Sequence, residues 1–270
     1  MTKSVLIVGG TSYIARQLVQ YVATQQPETT NLQLESISAR GTMWEDIDFS
    51  LFNSIVFTAG IAHRKQTSAN AQLYDEVNRD LAWAVANKAK QSGCRQMIYL
   101  SSMAVYGVET GVITDDTPLA PASRNHYALS KYQAEQGLVS MAGDGFQVVI
   151  LRPPLVYGPD CPGKYNSLIK IAKYSPVLPT YANARSMVHI KRLSQLMVQL
   201  LGSPSSDNLI IRHPRDPQSH DTSQLLFQLA QAQGRRPLRL PLLNLFIKWT
   251  MPWVAVVRTA FGDLTYETTC

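Results

Sequence analysis

Cysteine is scarce in this sequence, since Cys94, Cys161 and Cys270 are the only three among 270 residues. A disulfide framework or a cysteine-based metal site needs cysteines in sufficient number and at suitable spacings. These three are scattered, so the sequence gives no sign of either feature. We interpret them as reduced thiols, and we predict no metal site.

The sequence also lacks a long uncharged hydrophobic run. Met1 to Lys3 leads straight into an apolar segment, without the basic region, apolar region and small-residue cleavage site of a secretory leader. The most apolar stretch, Leu238 to Phe261, is interrupted by Lys248 and two prolines, so it is too broken to cross a bilayer. We therefore expect a cytoplasmic protein without a transmembrane segment. We expect this tail to pack on a substrate-binding lobe, with a homodimer interface or a membrane contact as the alternatives.

Runs of like charge are absent. The net charge of +6 is spread along the chain, and its densest arginine pair is Arg235-Arg236. No aromatic ladder accompanies that pair, so the pattern does not favour a nucleic-acid partner. The basic balance instead favours a small phosphorylated ligand.

A strand followed by a tight turn and a helix is predicted at the start of the chain. Ser4 to Val8 is a continuous apolar run typical of a buried parallel strand, and the segment Gly9-Gly10-Thr11-Ser12-Tyr13-Ile14-Ala15 follows at once. Backbone N–H groups at such a turn and helix start receive the pyrophosphate of a dinucleotide. The segment therefore predicts a dinucleotide-binding site.

Two further strands end in segments that bear on the cofactor. Leu32 to Ser38 is followed by Arg40, which suits the 2′-phosphate of NADP but is equally compatible with a solvated surface arginine. The cofactor, NAD or NADP, is left open. The strand starting at Ser54 leads into Thr58-Ala59-Gly60-Ile61-Ala62-His63, which we place at the ligand-binding edge of the sheet. We interpret His63 as a loop hydrogen-bonding residue.

Tyr127 and Lys131 form a candidate proton-transfer pair. Their spacing of four residues puts both side chains on one face of a predicted helix. An ammonium beside a phenol favours the phenolate, whose ordinary pKa of about 10 is otherwise too high for a base at neutral pH. Upstream, the strand Gln96 to Leu100 delivers Ser101 and Ser102 to the same edge.

Together, the Ser101-Ser102 strand end, the Tyr127/Lys131 pair and the segment Arg152 to Pro159 resemble the extended short-chain dehydrogenase/reductases, in their nucleotide-sugar epimerase branch. That family's turn has the form Gly-x-x-Gly-x-x-Gly. Only Gly9 of the three glycines is present, since Ser12 and Ala15 stand at the other two positions. The segment that carries the adenine-side wall, around Trp44, is also shorter than in the family.

The resemblance implies a role for each of a set of residues. The implied catalytic residues are Ser102, Tyr127 and Lys131. The implied cofactor contacts are Gly9, Thr11, Ser12, Tyr13, Ile14, Arg40, Ala59, Gly60, Asn78, Ser101, Tyr127, Lys131 and Pro154. The implied substrate contacts are Lys164, Tyr165 and Arg185, of which the arginine would grip a diphosphate.

The same resemblance implies an α/β fold, with a Rossmann-type doubly wound parallel sheet and a smaller C-terminal substrate-binding lobe. We expect residues 1–159 to form the dinucleotide-binding core, with residues 186–202 returning to it. Residues 160–185 and 203–270 are expected to form the lobe.

The implied activity is NAD(P)-dependent epimerisation at the 4-position of a nucleotide sugar, with UDP as the favoured carrier. A 4-ketoreductase uses the same residues in one direction and is the first alternative. A dinucleotide-binding sensor without catalysis is the second. A 4,6-dehydratase is disfavoured because Met103-Ala104 stands where that subgroup carries an acidic pair.

Overall fold

Strands and helices alternate along much of the chain in the computed structural model, which describes residues 2–24, 31–62, 67–203 and 205–268. The strands are β1 (Lys3–Val8), β2 (Leu32–Ile37), β3 (Ser54–Phe57), β4 (Gln96–Leu100), β5 (Gly111–Thr114), β6 (Gln147–Leu151), β7 (Leu155–Tyr157), β8 (Val177–Leu178), β9 (Met187–His189), β10 (Leu209–Arg212), β11 (Leu238–Arg239) and β12 (Leu264–Glu267). The α-helices are α1 (Tyr13–Thr24), α2 (Ala71–Asp75), α3 (Leu81–Gln91), α4 (His126–Met141), α5 (Lys164–Tyr174), α6 (Ile190–Gly202), α7 (Thr222–Ala232), α8 (Leu242–Thr250) and α9 (Ala255–Phe261).

Six of these strands form one parallel sheet in the order β10-β6-β4-β3-β1-β2. Its central strands are buried on both faces: in β1, Val5 and Ile7 enter one hydrophobic core, while Leu6 and Val8 enter the other. Helices α1 and α6 cover the first face, and α3 and α4 cover the second. Continuous apolar strands are stable only when both faces are covered in this way. The predicted doubly wound α/β fold is confirmed.

The strand order reverses at β1, which pairs with β2 on one side and β3 on the other. In such sheets, ligands bind in the crevice beyond the carboxyl ends of the strands at the point of reversal. The turn after β1, the loop after β3 and the serines after β4 all lie at this edge. The topology therefore places the predicted cofactor residues from three segments together.

One boundary differs from the expected domain division. We expected all of residues 203–270 in the smaller lobe, but β10 pairs in parallel with β6 as the edge strand of the central sheet. The reason is burial, since Ile210 completes one core and Ile211 packs against the other. Beyond β10, α7 packs on α5, β11 pairs with β8, and β12 pairs with β5.

Helices α2 and α3 follow one another with one irregularity between them. Residues Glu76–Asp80 form a π-helical turn that joins the two helices. After the end of α3, Gly93 lies in the left-handed region at φ 80°.

The C-terminal tail packs on the lobe through only part of its surface. Ile247 and Thr250 of α8 are buried, whereas Trp249 and, after the helix, Trp253 are exposed. The expectation that the tail packs on the lobe is therefore only partly met. Among the described residues, every helix is too short or too polar to cross a membrane.

The two cysteines that lie within the described residues are unpaired and buried. Burial raises the pKa of Cys94 and of Cys161 to about 11 in each case. Cys270 lies outside the described residues. In the part of the chain that the structure describes, no cluster of His, Cys, Asp and Glu side chains is arranged to hold a metal ion.

Candidate active site

Ser102, Tyr127 and Lys131 meet at the carboxyl end of β4. Ser102 caps the 3-10 turn Met103–Tyr106, its hydroxyl accepting from Ala104 N at 3.2 Å. The same side chain forms a hydrogen bond with Tyr127. Lys131 is buried and donates from Nζ to the carbonyl of Leu100, the last residue of β4, at 2.7 Å. The end of β4 therefore fixes the Ser102 hydroxyl and the Lys131 ammonium. Tyr127 comes from the first turn of α4, the helix that also carries Lys131.

Asn125 is the residue that begins α4. Its side-chain Oδ1 accepts from Ala128 N at 3.1 Å, so it is the N-cap of the helix. This cap fixes the first turn of the helix, which carries Tyr127.

The pKa values in this site differ from our expectation. Burial raises the pKa of Tyr127 above its ordinary value, and the hydrogen bond with Ser102 offsets this only in part. Burial also lowers the pKa of Lys131 to about 7, against the opposing effect of the Glu135 carboxylate. The chain's own residues therefore do not lower the pKa of Tyr127, because the same burial disfavours the charged form of both groups. Lys131 is instead a group that titrates near neutrality.

The π-helical turn aims Asn78 at the loop after β3. The Asn78 side chain accepts from Ile61 N at 2.8 Å and donates to Ile61 O at 3.2 Å and to Ser130 Oγ at 3.0 Å. A Cβ added at Gly60 would come within 3.2 Å of Asn78 Oδ1 and 3.4 Å of Lys131 Nζ. The predicted residues Gly60, Asn78 and Lys131 are therefore neighbours. π-helical turns of this kind are frequent at functional sites.

Tyr99 supports the same turn and was missed in the sequence. Its hydroxyl donates to the Asn78 carbonyl at 3.0 Å, and Lys131 Nζ lies 4.6 Å from its ring centroid. Its place in a buried strand gave no sign of a polar role.

A buried charge network behind the lysine was also missed. Arg152 Nη2 donates to Glu135 at 2.7 Å, and its Nη1 donates to the Tyr106 hydroxyl at 2.8 Å. That hydroxyl also shares a hydrogen bond with His213 Nε2 at 2.7 Å. Burial, followed by the nearby Arg152 cation, lowers the pKa of His213 to about 4, so its ring is neutral at neutral pH. The signal that could have revealed the network is Glu135, one turn beyond Lys131.

The glycine turn after β1 is built for close approach of backbone. Gly9 has φ 101°, and a Cβ there would come within 2.5 Å of Ala59 N. Ser12, at the position of the missing glycine, caps α1 by accepting from Ala15 N at 3.1 Å. This leaves the N–H groups of Tyr13 and Ile14 as first-turn donors with no acceptor inside the helix. Thr11 is exposed in the turn.

The side chain of Tyr13 points away from that turn. Its hydroxyl donates to the carbonyl of Pro159 at 2.9 Å, tying the start of α1 to the end of the Arg152 to Pro159 segment.

Ser101 supplies a test of whether these residues fit a dinucleotide. Its hydroxyl is buried and has no hydrogen-bond partner among the described residues. Buried polar atoms are nearly always paired, so this one calls for a partner from outside the protein. The segment that carries Pro154 is held to the Ser101-Ser102 loop, since Met103 N donates to Pro153 O at 2.9 Å. The unpaired Ser101 hydroxyl and the first-turn N–H groups of α1 fit a dinucleotide.

The adenine side is less defined. Arg40 is exposed after β2, so it remains compatible both with binding of the NADP 2′-phosphate and with a solvated surface arginine. Trp44 is buried with Phe49 in the hydrophobic core, so its ring is not presented as a wall for a ligand. His63 lies outside the described residues.

Lys164 and Arg185 lie close together on the lobe, but Tyr165 does not join them. The pKa of Lys164 is lowered by desolvation and then by the Arg185 cation, and the pKa of Arg185 is lowered by burial. Arg185 also donates to the Gly262 carbonyl at 2.6 Å. Two partly desolvated cations this close together favour an anion between them. Tyr165 is instead buried in the core, with its ring 5.6 Å from that of Tyr157.

Residues 5–208 match the model of the NAD dependent epimerase/dehydratase family. The chain belongs to this family. The predicted family is confirmed, and the chain is a member of a family of enzymes.

Three known proteins are similar to this chain, one in sequence and two in fold. UDP-glucose 4-epimerase of Vibrio cholerae is 29% identical over 263 residues, which cover 89% of this chain and 79% of the relative. The structure of UDP-glucuronic acid 4-epimerase from Bacillus cereus in complex with NAD is similar with a TM-score of 0.70 and 16% identity, covering 98% of this chain and 89% of that one. The structure of dTDP-4-dehydrorhamnose reductase from Bacillus anthracis in complex with NADP has a TM-score of 0.68 and 17% identity, covering 88% and 84%.

Proposed function

We propose that this chain is a nucleotide-sugar 4-epimerase that uses NAD or NADP and takes a UDP-linked sugar. The observation that carries the proposal is the assembly of Ser102, Tyr127 and Lys131 at the sheet edge that also holds the Gly9 turn. A binding protein without catalysis has no need of all three groups at one edge of the sheet. The similarity to UDP-glucose 4-epimerase supports the choice of reaction.

Each residue of the site has a role in this reaction. Tyr127 takes the proton from the sugar 4-hydroxyl and returns it, while Ser102 donates a hydrogen bond to the reacting oxygen. Lys131, held by the Leu100 carbonyl, would hold the ribose of the bound dinucleotide and, together with the nicotinamide cation, favour the tyrosinate. Bound NAD or NADP would supply the hydride acceptor and then the donor. Lys164 and Arg185 hold the diphosphate, the arginine through its planar guanidinium.

Reduction of a 4-keto sugar is the second candidate. Exposed Arg40 after β2 favours it, because an arginine at this position suits NADP, the cofactor in the structure of the similar reductase. A reductase must also exchange its spent cofactor in each cycle, and Ser12 in place of a glycine favours weaker, exchangeable binding. We rank epimerisation first because the curated relative with 29% identity is a 4-epimerase.

Incubation with UDP-glucose, UDP-galactose and their N-acetylated forms tests the proposal. With a catalytic amount of oxidised cofactor, we expect interconversion of 4-epimers without net consumption of cofactor. Tyr127→Phe should lower turnover by about 100-fold or more while dinucleotide binding is kept.

A second incubation, with a 4-keto sugar and reduced cofactor that carries deuterium at its transferable position, separates the two candidates. Stoichiometric deuterium in the product, together with no interconversion in the UDP-sugar panel, would reverse the ranking. Inactivity in both incubations would leave only the binding-protein interpretation standing.

A further inference from the structure

Helix α8 turns an apolar stripe towards solvent. Leu242, Leu245, Phe246 and Trp249 recur at the spacing of one helix face, and all four are exposed. Trp253, just after the helix, is 84% exposed and Trp249 is 72% exposed. We call these five residues the α8 stripe. Contiguous exposed apolar surface of this kind marks an interaction site.

The direction of the stripe is fixed by the opposite face of the helix. Ile247 and Thr250 are buried against the lobe. Asn244 accepts from Thr180 N at 3.0 Å, and its amide nitrogen donates to Thr180 Oγ1 at 3.0 Å. Rotating α8 to bury the stripe would break these contacts, so the exposed face is built into the lobe.

The charge of the chain segment that carries the stripe has one sign. From Thr222 to Gly262 the sequence contains no aspartate or glutamate. Arg236, Arg239 and Lys248 are exposed in this region, and none of the three forms an ion pair in the described chain. This segment is therefore aromatic and leucine-rich at its centre and cationic at its border. Glu109 of another segment also lies nearby, but its carboxylate is paired with Arg258.

We propose that the α8 stripe is a membrane-docking surface that inserts into the headgroup region of a bilayer containing anionic lipid. Tryptophan, phenylalanine and leucine on one face, with lysine and arginine beside them, are the features of a helix that lies in the membrane interface. The indole side chains suit the boundary between headgroups and acyl chains. A helix of nine residues, about 14 Å long, lies on the membrane and does not span it.

A second copy of the chain fits the stripe less well. A two-fold interface brings the same patch of both copies together. Arg236, Arg239 and Lys248 would then face their own counterparts, with no carboxylate from the stretch 222–262 to pair with them. Like charges facing one another across an interface are unfavourable, whereas anionic lipid headgroups neutralise them.

Sedimentation with vesicles tests the proposal. We expect the purified chain to bind vesicles of phosphatidylcholine and phosphatidylglycerol at least about tenfold more tightly than vesicles of phosphatidylcholine alone. Tryptophan emission should shift to shorter wavelength on binding, because Trp249 and Trp253 leave water. Of the other two tryptophans, Trp44 is buried and the Trp83 indole donates to the Ala134 carbonyl at 3.1 Å.

Three variants complete the experiment. The double variant Trp249→Ser/Trp253→Ser should lose at least about tenfold in vesicle affinity and lose the emission shift. Leu51→Ser removes an equally exposed apolar side chain far from the stripe in sequence and should bind as the parent does. Lys248→Gln keeps the stripe and should lower affinity for anionic vesicles by roughly fivefold.

The proposal is overturned if the parent chain does not bind anionic vesicles. It is also overturned if neither the double tryptophan variant nor Lys248→Gln weakens binding. It is also overturned if sedimentation equilibrium shows a dimer that the double variant dissociates while vesicles are not bound. Should the double variant fail to fold, as judged by circular dichroism, Lys248→Gln and the parent's emission shift decide the question.

Discussion

Burial sets the proton affinity of Lys131. Folding lowers its pKa from 10.5 to about 7, mainly because the ammonium loses contact with water. Between these values the unfolded chain binds a proton that the folded chain does not, so this group makes the free energy of unfolding rise with pH. The penalty is fully present below the folded pKa and disappears above the unfolded one.

The pH dependence of stability is therefore the first prediction. In urea unfolding, the free energy of the parent relative to Lys131→Met should rise by roughly 1 kcal/mol per pH unit from about pH 7 to about pH 9. Lys170→Met, at an exposed lysine, controls for the loss of a positive charge. A difference that stays flat across this range would show that the folded-state pKa is not lowered.

Ser101 gives a second prediction at the level of one side chain. Its buried hydroxyl has no partner among the described residues, so Ser101→Ala removes a desolvation cost. We expect Ser101→Ala to unfold at the same or a higher urea concentration, by up to about 1 kcal/mol, while dinucleotide affinity falls several-fold in calorimetry.

Ser194 provides the matched control, because its hydroxyl is likewise buried and has no hydrogen-bond partner in the described part of the chain. Ser194→Ala should have the same effect on unfolding and no effect on dinucleotide affinity. Equal affinities for the parent and both variants would remove Ser101 from the cofactor site.

At the scale of elements, the start of α1 has a serine, Ser12, at a position where the family's turn has a glycine. Ser12 replaces a glycine and takes the role of N-cap, with its hydroxyl accepting from Ala15 N. Loss of a serine cap costs about 1 kcal/mol when alanine replaces it and only a few tenths when glycine does. The turn therefore gains helix stability from the residue that departs from the family's form.

The third prediction follows from this cap. Ser12→Ala should lower the free energy of unfolding by about 1 kcal/mol, and Ser12→Gly should lower it by less than half as much. Urea titrations of the two variants measure the difference. Equal losses would mean that the hydroxyl does not cap the helix in solution.

At the scale of the whole molecule, the residues proposed to bind the two ligands lie in two regions. The dinucleotide-binding residues lie at the edge of the central sheet. Arg185 lies in the lobe, where its backbone pairs with β12 and its side chain donates to the Gly262 carbonyl. A change at Arg185 should therefore act on one ligand and spare the other.

Binding of the two ligands gives the fourth prediction. Arg185→Ala should weaken UDP binding by about tenfold or more, as expected for the loss of a charge-assisted contact to phosphate, and leave dinucleotide affinity within about twofold. Calorimetry with each ligand measures both. Arg95→Ala, at an exposed arginine before β4 and so at the opposite end of the strands, should change neither. Parallel losses for UDP and the dinucleotide would contradict the assignment of Arg185 to the diphosphate.

The sequence by itself determined the features that depend on local pattern. The apolar run before Gly9 specified a strand, and the spacing of Tyr127 and Lys131 put both on one helix face, because side-chain periodicity and backbone sterics act over a few residues. The same patterns predicted the family and the doubly wound fold, and both predictions are confirmed.

Only the tertiary structure decided what depends on contacts between distant segments. It buried Tyr165, placed β10 in the central sheet, and exposed the α8 stripe. It also paired Glu135 with Arg152, and it buried Tyr127, which raises the pKa of that side chain in the chain by itself. Burial and local dielectric follow from which remote residues close around a side chain, and no short sequence pattern carries that information.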